Sequence, residues 1–194
     1  MRALCVTRQG DPVTPNIELL DLPEPVPSQG ELLVATEASA LNHLDLWVGR
    51  GLPGIDTQYP HIGGSDGCGR VVGVGAGVDE AWMDQRVIFN FAVEIPHEPR
   101  PNASPAGREI YMIGEHTPGT HAERFTAPAS NAVVVGETED PIQAAAYGLT
   151  HLTAWGMLRT KARLRAGETV LITGIGGGVA LAALDRHCDR FAPD

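Results

Sequence analysis

Short apolar stretches separated by turn residues fill the first 136 positions of the chain and predict a β-rich region. One of them, GCGRVVGVGAGV, places glycines between valines, which suits a tightly bent strand or a bulged barrel corner. Strands this short and this frequent favour a small barrel or sandwich. The other strand-like segments are MRALCVTR, NIELLDLPEPVP, GELLVATEASAL, QRVIFNF and HAERFTAPASNAVVV.

One helix is predicted within this region, at NHLDLWVGRGLPG. Asn42 is a good N-cap residue, and Asp45 follows three positions later, where its carboxylate can complete a weak capping box. Gly49 and Gly51 are predicted to end the helix. Further along, the proline-rich segment 95–110 has no periodicity and is interpreted as a loop or lobe.

Helical periodicity replaces the strand pattern after Gly136. Asp140 followed by Pro141 marks a helix start, because an N-cap residue is followed by one with a preset backbone angle. The segment IQAAAYGLTHLTAWGMLRTKARL then carries apolar residues at helical spacing. We predict two helices here, broken near Gly148.

The end of the chain has the order of strand, glycine turn and helix. TVLITG is a compact apolar segment of the kind buried in a parallel sheet, and residues 174–178 form the predicted turn. VALAALDRHCDRF is the predicted last helix, with Val179, Ala183 and Phe191 along one stripe. We therefore predict residues 1–140 as one domain and residues 141–194 as connecting helices followed by a strand–turn–helix unit.

Charge and cysteine content narrow the functional classes. The formal net charge of -10 argues against a nucleic-acid partner, because phosphate backbones bind basic surfaces. We also expect no membrane span and no secretory signal, since no apolar run is long enough and the first residues soon turn polar. Cys5, Cys68 and Cys188 fit neither a disulfide framework nor a zinc spacing and indicate reduced thiols in a cytoplasmic protein. The expected partner is a small-molecule substrate, and the oligomeric state stays open.

Five strings in a fixed order resemble the medium-chain dehydrogenase/reductase superfamily: ALNHLDLWVGRGLPG, PHIGGSDGCGRVVGVGAGV, GEHTPGTHAERFTAPASN, LTHLTAWGML and GETVLITGIGGGVALAAL. The resemblance implies a mostly β fold with some α structure, in which a GroES-like barrel forms the catalytic domain and a Rossmann nucleotide-binding domain follows. It also implies an oxidoreductase that uses NADPH or NADH. The strings look most like zinc-independent quinone or enoyl reductases and their zinc-type alcohol dehydrogenase cousins.

The resemblance also bears on zinc. In zinc-using relatives the catalytic ligands stand at the positions of Asn42 and Ser65 and close to that of Leu149. Asn and Ser are poor zinc donors, and Leu is none. The segment that matches the family's structural zinc lobe has no cysteine. We therefore expect no zinc, which leaves hydride transfer from NADPH to a quinone or to an activated C=C or carbonyl group.

Three histidines, His97, His116 and His121, lie in or near that lobe segment. His116 and His121 are five positions apart in a predicted loop, a spacing at which they could bind a metal opportunistically. Ordinary solvated histidines are the favoured interpretation, so no metal ligand is assigned.

Hydride transfer to such substrates places negative charge on an oxygen, so the site needs hydrogen-bond donors aimed at that oxygen. The resemblance makes Asn42 and His43 the candidates, with His43 reaching the cofactor phosphates or relaying a proton. Asp66 would orient its neighbours, and Asp45 could do the same for His43. Thr153 matches a threonine that packs beside the nicotinamide. Simpler hypotheses stay open: Asn42 as a helix cap, Asp45 as a charge on the helix dipole and Asp66 as a turn former.

The string TGIGGGVA resembles the phosphate-binding turn of dinucleotide-binding domains, because it follows an apolar segment and precedes a helix. We prefer the family's variant register, with Ile175, Gly177 and Ala180, and assign cofactor binding to Gly176, Gly177, Gly178 and Ala180. The other register begins at Gly174, and both lack the last glycine of the full motif.

In such domains the residue that holds the adenosine ribose comes about twenty positions after the glycines. That position lies beyond residue 194, and DRHCDRFAPD does not resemble the usual apolar continuation. We therefore expect a Rossmann domain truncated after its opening and a chain with little or no turnover. The alternative hypothesis is a non-catalytic GroES-like remnant or binding module, and a zinc-type alcohol dehydrogenase is disfavoured.

Overall fold

The computed structural model describes residues 1–95 and 110–191, with side chains described as far as residue 185. The chain divides into two compact units, Met1–Ala146 and Tyr147–Asp194. The predicted loop at 95–110 lies almost wholly outside the described residues, as do His97 and the side chain of Cys188.

Strands dominate the described part of the first unit, which confirms the predicted β-rich region. The strand bounds are β1 Arg2–Val6, β2 Ile17–Asp21, β3 Glu31–Ala40, β4 His61–Ile62, β5 Asp66–Val74, β6 Arg86–Phe89, β7 Ala92–Glu94, β8 Ile110–Met112, β9 Arg124–Pro128 and β10 Ala132–Val134. These strands form three antiparallel sheets, with the orders β10–β6–β5–β3–β9, β2–β1–β4 and β7–β8.

The pairing of β3 with β5 forms the centre of the largest sheet. Its register runs from Leu32 opposite Val74 to Ala40 opposite Asp66, with irregularities after Leu33 and after Thr36. The first irregularity skips Val72 of β5 and the second skips Glu37 of β3. An extra residue of this kind bends the strand that carries it, so the bulge at Val72 agrees with the bent or bulged strand predicted for the glycine-rich sequence of β5. The end of β3 and the start of β5 therefore lie side by side.

Aromatic and branched side chains from several strands fill the main core. Phe89, Phe91 and Phe125 pack on one another with ring centroids 5.5 to 6.4 Å apart. Tilted and edge-on rings at such distances are the preferred aromatic geometry. Leu32 and Val34 of β3 are fully buried against this cluster, so the alternating apolar positions of that strand point into the core.

Glycine at position 69 allows β3 and β5 to approach closely. A Cβ there would collide with the carbonyl oxygen of Ala35 and lie 2.8 Å from the side chain of Val34. Gly73, on the same strand, has more room, because an added Cβ would meet Leu33 at 3.4 Å. The glycines of β5 therefore differ: the packing against the β3 backbone requires Gly69, whereas Gly73 has room for a methyl group.

Helix α1 spans His43–Arg50 and follows Asn42, which has an extended backbone at the N-cap position. The C-cap is Gly51, whose φ of 93° lies in the left-handed region that favours glycine. The prediction that Gly49 helps to end the helix is wrong. Gly49 is helical and buried, and a side chain there would collide with Val13.

Two short helices follow the strands, as predicted, with the break at 146–147. Helix α2 spans Pro141–Ala145, and the Asp140 side chain caps it by accepting a 2.9 Å hydrogen bond from the N–H of Ile142. Helix α3 spans Gly148–Trp155 and continues as a π-helical turn over Gly156–Lys161. Among the residues described, no helix is long and apolar enough to cross a membrane.

Helix α4 spans Gly178–Phe191, as predicted, but the strand expected at 170–174 is absent. A strand needs a hydrogen-bonding partner, and the described residues of the second unit contain no other strand. Ile172 instead packs beside Ala154 of α3 and Ala182 and Ala183 of α4. Small side chains at this contact let the two helices approach.

We predict that Gly69→Ala destabilises the first unit by about 2 kcal/mol, because overpacking a close contact typically costs ~1–3 kcal/mol. Gly73→Ala is the matched control on the same strand, where the added methyl group finds ordinary contact distances. Urea denaturation followed by tryptophan fluorescence measures both variants. Equal unfolding midpoints for the two would contradict the requirement for glycine at position 69.

Candidate active site

The junction between β3 and α1 lies against the start of β5 because Ala40 and Asp66 are register partners. Asn42 stands at this junction, and its side-chain Nδ2 donates a 2.9 Å hydrogen bond to Asp66 Oδ2. Asp66 is 1% exposed. A carboxylate this deeply buried needs hydrogen-bond donors, and the Asn42 amide supplies one.

Asp45 joins the first turn of α1 to the loop before β5. Its Oδ2 accepts a 2.7 Å hydrogen bond from the backbone N–H of Asn42, which is the predicted capping contact. Its Oδ1 accepts a 3.0 Å hydrogen bond from the N–H of Gly64. Gly64 has a φ of 96°, so glycine suits both the backbone angle and the crowding at this position.

His121 is the third member of this polar group, a role that its sequence context did not predict. Its Nδ1 lies 2.7 Å from Ser39 Oγ, and its Nε2 lies 3.6 Å from Asp45 Oδ1. The second distance is too long for a normal hydrogen bond, so we treat that contact as electrostatic. The His121 side chain is only 11% exposed, so its interpretation as a solvated histidine is wrong.

Two hydroxyl groups complete the network on the β5 side. Thr120 Oγ1 donates a 2.7 Å hydrogen bond to the backbone carbonyl of Asp66, and Ser39 Oγ donates to the same oxygen at 3.1 Å. The two hydroxyl oxygens are 2.8 Å apart. Three separate segments therefore meet at Asp66, which fixes its backbone as well as its side chain.

The pKa of Asp45 reflects these contacts. Burial alone would raise it, but His121 and the N–H groups of Asn42 and Gly64 outweigh burial and hold the pKa of this carboxyl below its ordinary value. Asp45 is therefore an anion at neutral pH.

His43 begins α1, but it stands apart from the buried network. Its side chain is exposed, and its ring lies 6.4 Å from the ring of Trp47, centroid to centroid. The histidine that the structure places beside Asp45 is His121, and the orientation of His43 by Asp45 stays a prediction. His43 is free to meet a molecule that approaches the first turn of the helix.

The predicted cofactor residues lie in the second unit. Thr153 is exposed, and its hydroxyl donates a 2.7 Å hydrogen bond to the carbonyl of Leu149, one helical turn earlier. The N–H of Gly177 donates to the carbonyl of Gly174 at 3.0 Å, which closes the predicted turn. No atom lies within 4 Å of a Cβ placed on Gly176.

The start of α4 completes this turn. Gly178 is the first residue of the helix, and Ala180 lies in its first turn. The backbone at Gly176 is thus open to approach, which is what a phosphate-binding turn requires. The open backbone at Gly176 therefore fits the phosphate groups of a dinucleotide.

The residues at the zinc-ligand positions do not fit a zinc ion. Asn42 directs its N–H donor at Asp66, and a zinc ligand must instead offer a lone pair. Ser65 Oγ is buried and has no hydrogen-bond partner among the described residues, but a serine hydroxyl is a poor zinc ligand. Leu149 has no donor atom. We derive no chemical step through zinc.

The other histidines offer no alternative metal site within residues 1–95 and 110–185. His116 is partly exposed, and its Nδ1 accepts a 3.1 Å hydrogen bond from the N–H of Met112. In this part of the chain no group of three His, Cys, Asp or Glu residues could hold a metal ion.

Comparison with known proteins adds to this geometry. The family model described as "Alcohol dehydrogenase GroES-like domain" matches residues 28–137. The chain is similar to the "Zinc-type alcohol dehydrogenase-like protein YogA" of Leptosphaeria maculans, with 32% identity over 178 residues, or 87% of this chain and 48% of that protein. It is similar to the "Quinone oxidoreductase" of Rattus norvegicus, with 29% identity over 182 residues, or 94% of this chain and 48% of that protein.

Solved structures give the same result. A crystal structure of an NAD-dependent alcohol dehydrogenase matches with a TM-score of 0.86 and 35% identity, over 99% of this chain and 56% of that one. A thermostable alcohol dehydrogenase from Pyrobaculum aerophilum matches with a TM-score of 0.82 and 28% identity, over 99% of this chain and 57% of that one. The chain thus spans about half the length of the relatives that it matches.

We predict that Asp45→Asn lowers the free energy of unfolding at pH 7 by about 1–3 kcal/mol, because an amide cannot accept both N–H donors. A carboxyl whose pKa is lowered on folding stabilises the fold above its unfolded pKa of about 3.9, and this contribution disappears as the pH falls through the folded pKa. The difference in free energy of unfolding between wild type and variant, called the gap below, should therefore narrow from about pH 4 downwards.

Urea denaturation at pH 7 and at stepwise lower pH measures this gap. Asp56→Asn, at an exposed aspartate elsewhere in the first unit, is the control and should leave the gap near zero at every pH. A gap that stays constant below pH 4 would show that Asp45 stabilises the fold through its shape alone.

Proposed function

Since the chain belongs to the alcohol dehydrogenase GroES-like domain family of medium-chain dehydrogenases and reductases, we propose that it acts as a zinc-independent reductase that uses NADPH or NADH. The proposed substrate is a quinone or a compound with an activated C=C or carbonyl group. The observation that carries this proposal is the Asn42 amide, held by buried Asp66 at the position of a zinc ligand in zinc-using relatives.

Asn42 and His43 supply polar groups where the reaction needs them. Reduction of a quinone or an enone gathers negative charge on the substrate oxygen, and fixed donors stabilise that charge more effectively than mobile water does. The Asn42 amide is fixed by Asp66, and its backbone by Asp45. His43, being exposed, is the proposed group for passing a proton to that oxygen or for contacting a cofactor phosphate.

Asp45 and Asp66 act as positioning residues in this proposal. Each accepts a hydrogen bond from Asn42, one from its backbone and one from its side chain. Asp66 is buried and the Asp45 side chain is only 16% exposed. Movement of either would break a hydrogen bond that water does not readily replace, so the position of Asn42 is strongly constrained. His121 supports Asp45 from the other side.

The cofactor would be held by the second unit. A reduced nicotinamide supplies the hydride when it is bound. Gly176, Gly177, Gly178 and Ala180 form or follow an open turn at the start of α4, a setting in which backbone N–H groups bind phosphates. Thr153 is exposed one turn after Leu149 and is proposed to pack beside the nicotinamide ring.

A second candidate function is a non-catalytic binding module, and one observation favours it. Residues 170–174 form no sheet, although dinucleotide-binding turns are normally held by a parallel strand. A turn without that support binds phosphates less well. We therefore propose that the 194-residue chain, when assayed alone, turns over little.

We also propose a cytoplasmic location, in keeping with the buried free thiols of Cys5 and Cys68.

We predict that the 194-residue chain binds NADPH with a Kd weaker than about 100 µM, or roughly -5.5 kcal/mol. The physical reason is that residues 170–174, before the glycine turn, form no strand that could hold the turn in place. Titration followed by NADPH fluorescence measures this affinity, with NADH measured in parallel. Binding tighter than that limit would overturn the proposed impairment while supporting the reductase.

Hydride transfer itself can be detected even when turnover is slow. We predict that millimolar NADPH, deuterated at C4 of the nicotinamide, transfers deuterium to the β-carbon of cyclohex-2-enone in the presence of the chain. Asn42→Ala should lower the rate about 100-fold, because removal of one oxyanion donor typically costs ~10²–10³ in rate. Mass spectrometry of the product gives the rate.

The control is Asp140→Ala, which also removes a helix N-cap but lies outside the proposed site. It should leave the transfer rate near that of the wild type. If both variants slow the reaction equally, Asn42 acts only as a cap. If the wild type transfers no deuterium above the buffer blank, the chain is the non-catalytic module.

A further inference from the structure

We propose that a cavity between the β1–β2 hairpin and α1 binds the hydrocarbon chain of an uncharged carbonyl substrate, so that the N-terminal hairpin determines chain length. This inference rests on the proposed reductase function, since it specifies the substrate class of the same site. It adds a part of the molecule, β1 and β2, that has no role in the proposed chemistry so far.

The cavity is large enough for a small ligand and is mainly apolar. Its volume is about 390 Å³, within the range of ~300–1,000 Å³ that ligand sites usually have. Val6 and Ile17 are register partners on β1 and β2, and both line the cavity. Val13 and Val48, which are almost fully buried, add to the apolar lining.

The same cavity also reaches the proposed catalytic residues. Asn42, His43, Asp45 and His121 all belong to its lining. A ligand whose carbonyl group lies at Asn42 and His43 can therefore extend its chain along apolar side chains without leaving the cavity. Polar groups at one end and hydrocarbon elsewhere are the usual arrangement of a site that orients an amphipathic ligand.

Charge excludes acidic ligands from this cavity. Among the described residues that line it, Asp45 alone carries a carboxylate, and the pKa of Asp45 is held below its ordinary value, so it is ionised at neutral pH. Within the described residues, no lysine or arginine lines the cavity to balance it. The net charge of the whole chain, -10, acts in the same direction. A neutral ketone or enone is thus preferred to a carboxylate of equal length.

Apolar side chains at the cavity are partly exposed, so a bound hydrocarbon chain would remove their surface from water. Leu4, Ile17 and Leu46 are 42%, 38% and 43% exposed, and all three line the cavity. Each methylene group that leaves water for such a surface should tighten binding about fourfold. Affinity should therefore rise steadily along a homologous series until the chain fills the cavity.

The test is a series of methyl ketones, 2-butanone, 2-hexanone and 2-octanone, titrated into the 194-residue chain without cofactor. Backbone amide NMR shifts give both the affinity and the location of binding. We expect affinity to rise about fourfold per methylene, with the shifts concentrated in β1, β2 and α1. Octanoate should bind at least tenfold more weakly than 2-octanone.

Ile17→Trp is the blocking variant, because the larger side chain fills the cavity from the edge strand β2. Leu19→Trp is the matched control: it lies two positions along the same strand, is 63% exposed and does not line the cavity. The proposal predicts that Ile17→Trp abolishes the dependence on chain length and that Leu19→Trp keeps it.

Failure of this inference and failure of the proposed function give different results. The inference would be overturned if the three ketones bind with equal affinity, or if octanoate binds as tightly as 2-octanone. It would also be overturned if affinity still rises with chain length in Ile17→Trp. Each of these results counts against the inference even if deuterium transfer is observed. If ketone affinity rises steeply with chain length but no deuterium is transferred, the inference is supported and the chain is a hydrocarbon-binding module instead of a reductase. The wild-type series decides the matter even if Ile17→Trp does not fold.

Discussion

The need to satisfy the carboxyl groups of Asp45 and Asp66 determines the geometry of this site. Both accept hydrogen bonds from Asn42, which directly precedes α1. Asp66 is buried and the Asp45 side chain is only 16% exposed, and a buried polar group left without a partner costs about 1–3 kcal/mol, a large part of the stability of a domain. The surrounding glycine loop, Thr120 and His121 all contribute to that satisfaction, directly or through the backbone of Asp66. Displacing any one of these groups would remove a contact from Asp45 or from Asp66.

Local signals predicted the parts of the molecule that local interactions determine. The strands and α1 follow from alternation and from the Asn42–Asp45 spacing, and the start of α2 follows from Asp140 and Pro141. His121 was missed because its partner Ser39 lies 82 positions away, and no spacing rule connects them. Gly49 was misassigned because its requirement comes from Val13, which packs on the helix from a distant segment. The prediction of a strand at 170–174 was wrong although the local sequence suits one, because a strand forms only where another strand can pair with it.

The proposed function gives Asn42 a chemistry opposite to that of a metal ligand. A zinc ligand donates a lone pair to a metal, which in turn attracts the substrate oxygen. The Asn42 amide donates a hydrogen bond instead, and Asp66 opposite it is the acceptor. In the proposed function the protein therefore attracts the oxygen directly through a neutral donor. The turn that carries this donor is held by hydrogen bonds to Asp45 from the backbone of Asn42 and from Gly64, and by those that fix Asp66.

The unpaired segment at 170–174 has a consequence for how this polypeptide behaves in concentrated solution. Leu171 is 88% exposed, in a run that has strong β propensity and pairs with no strand among the described residues. Such a run is a template for intermolecular strand addition, whereas the high negative charge of the chain keeps molecules apart. Salt weakens that repulsion without covering Leu171. Colloidal stability thus depends on ionic strength through a few residues that take no part in the hydrogen-bond network of the candidate active site.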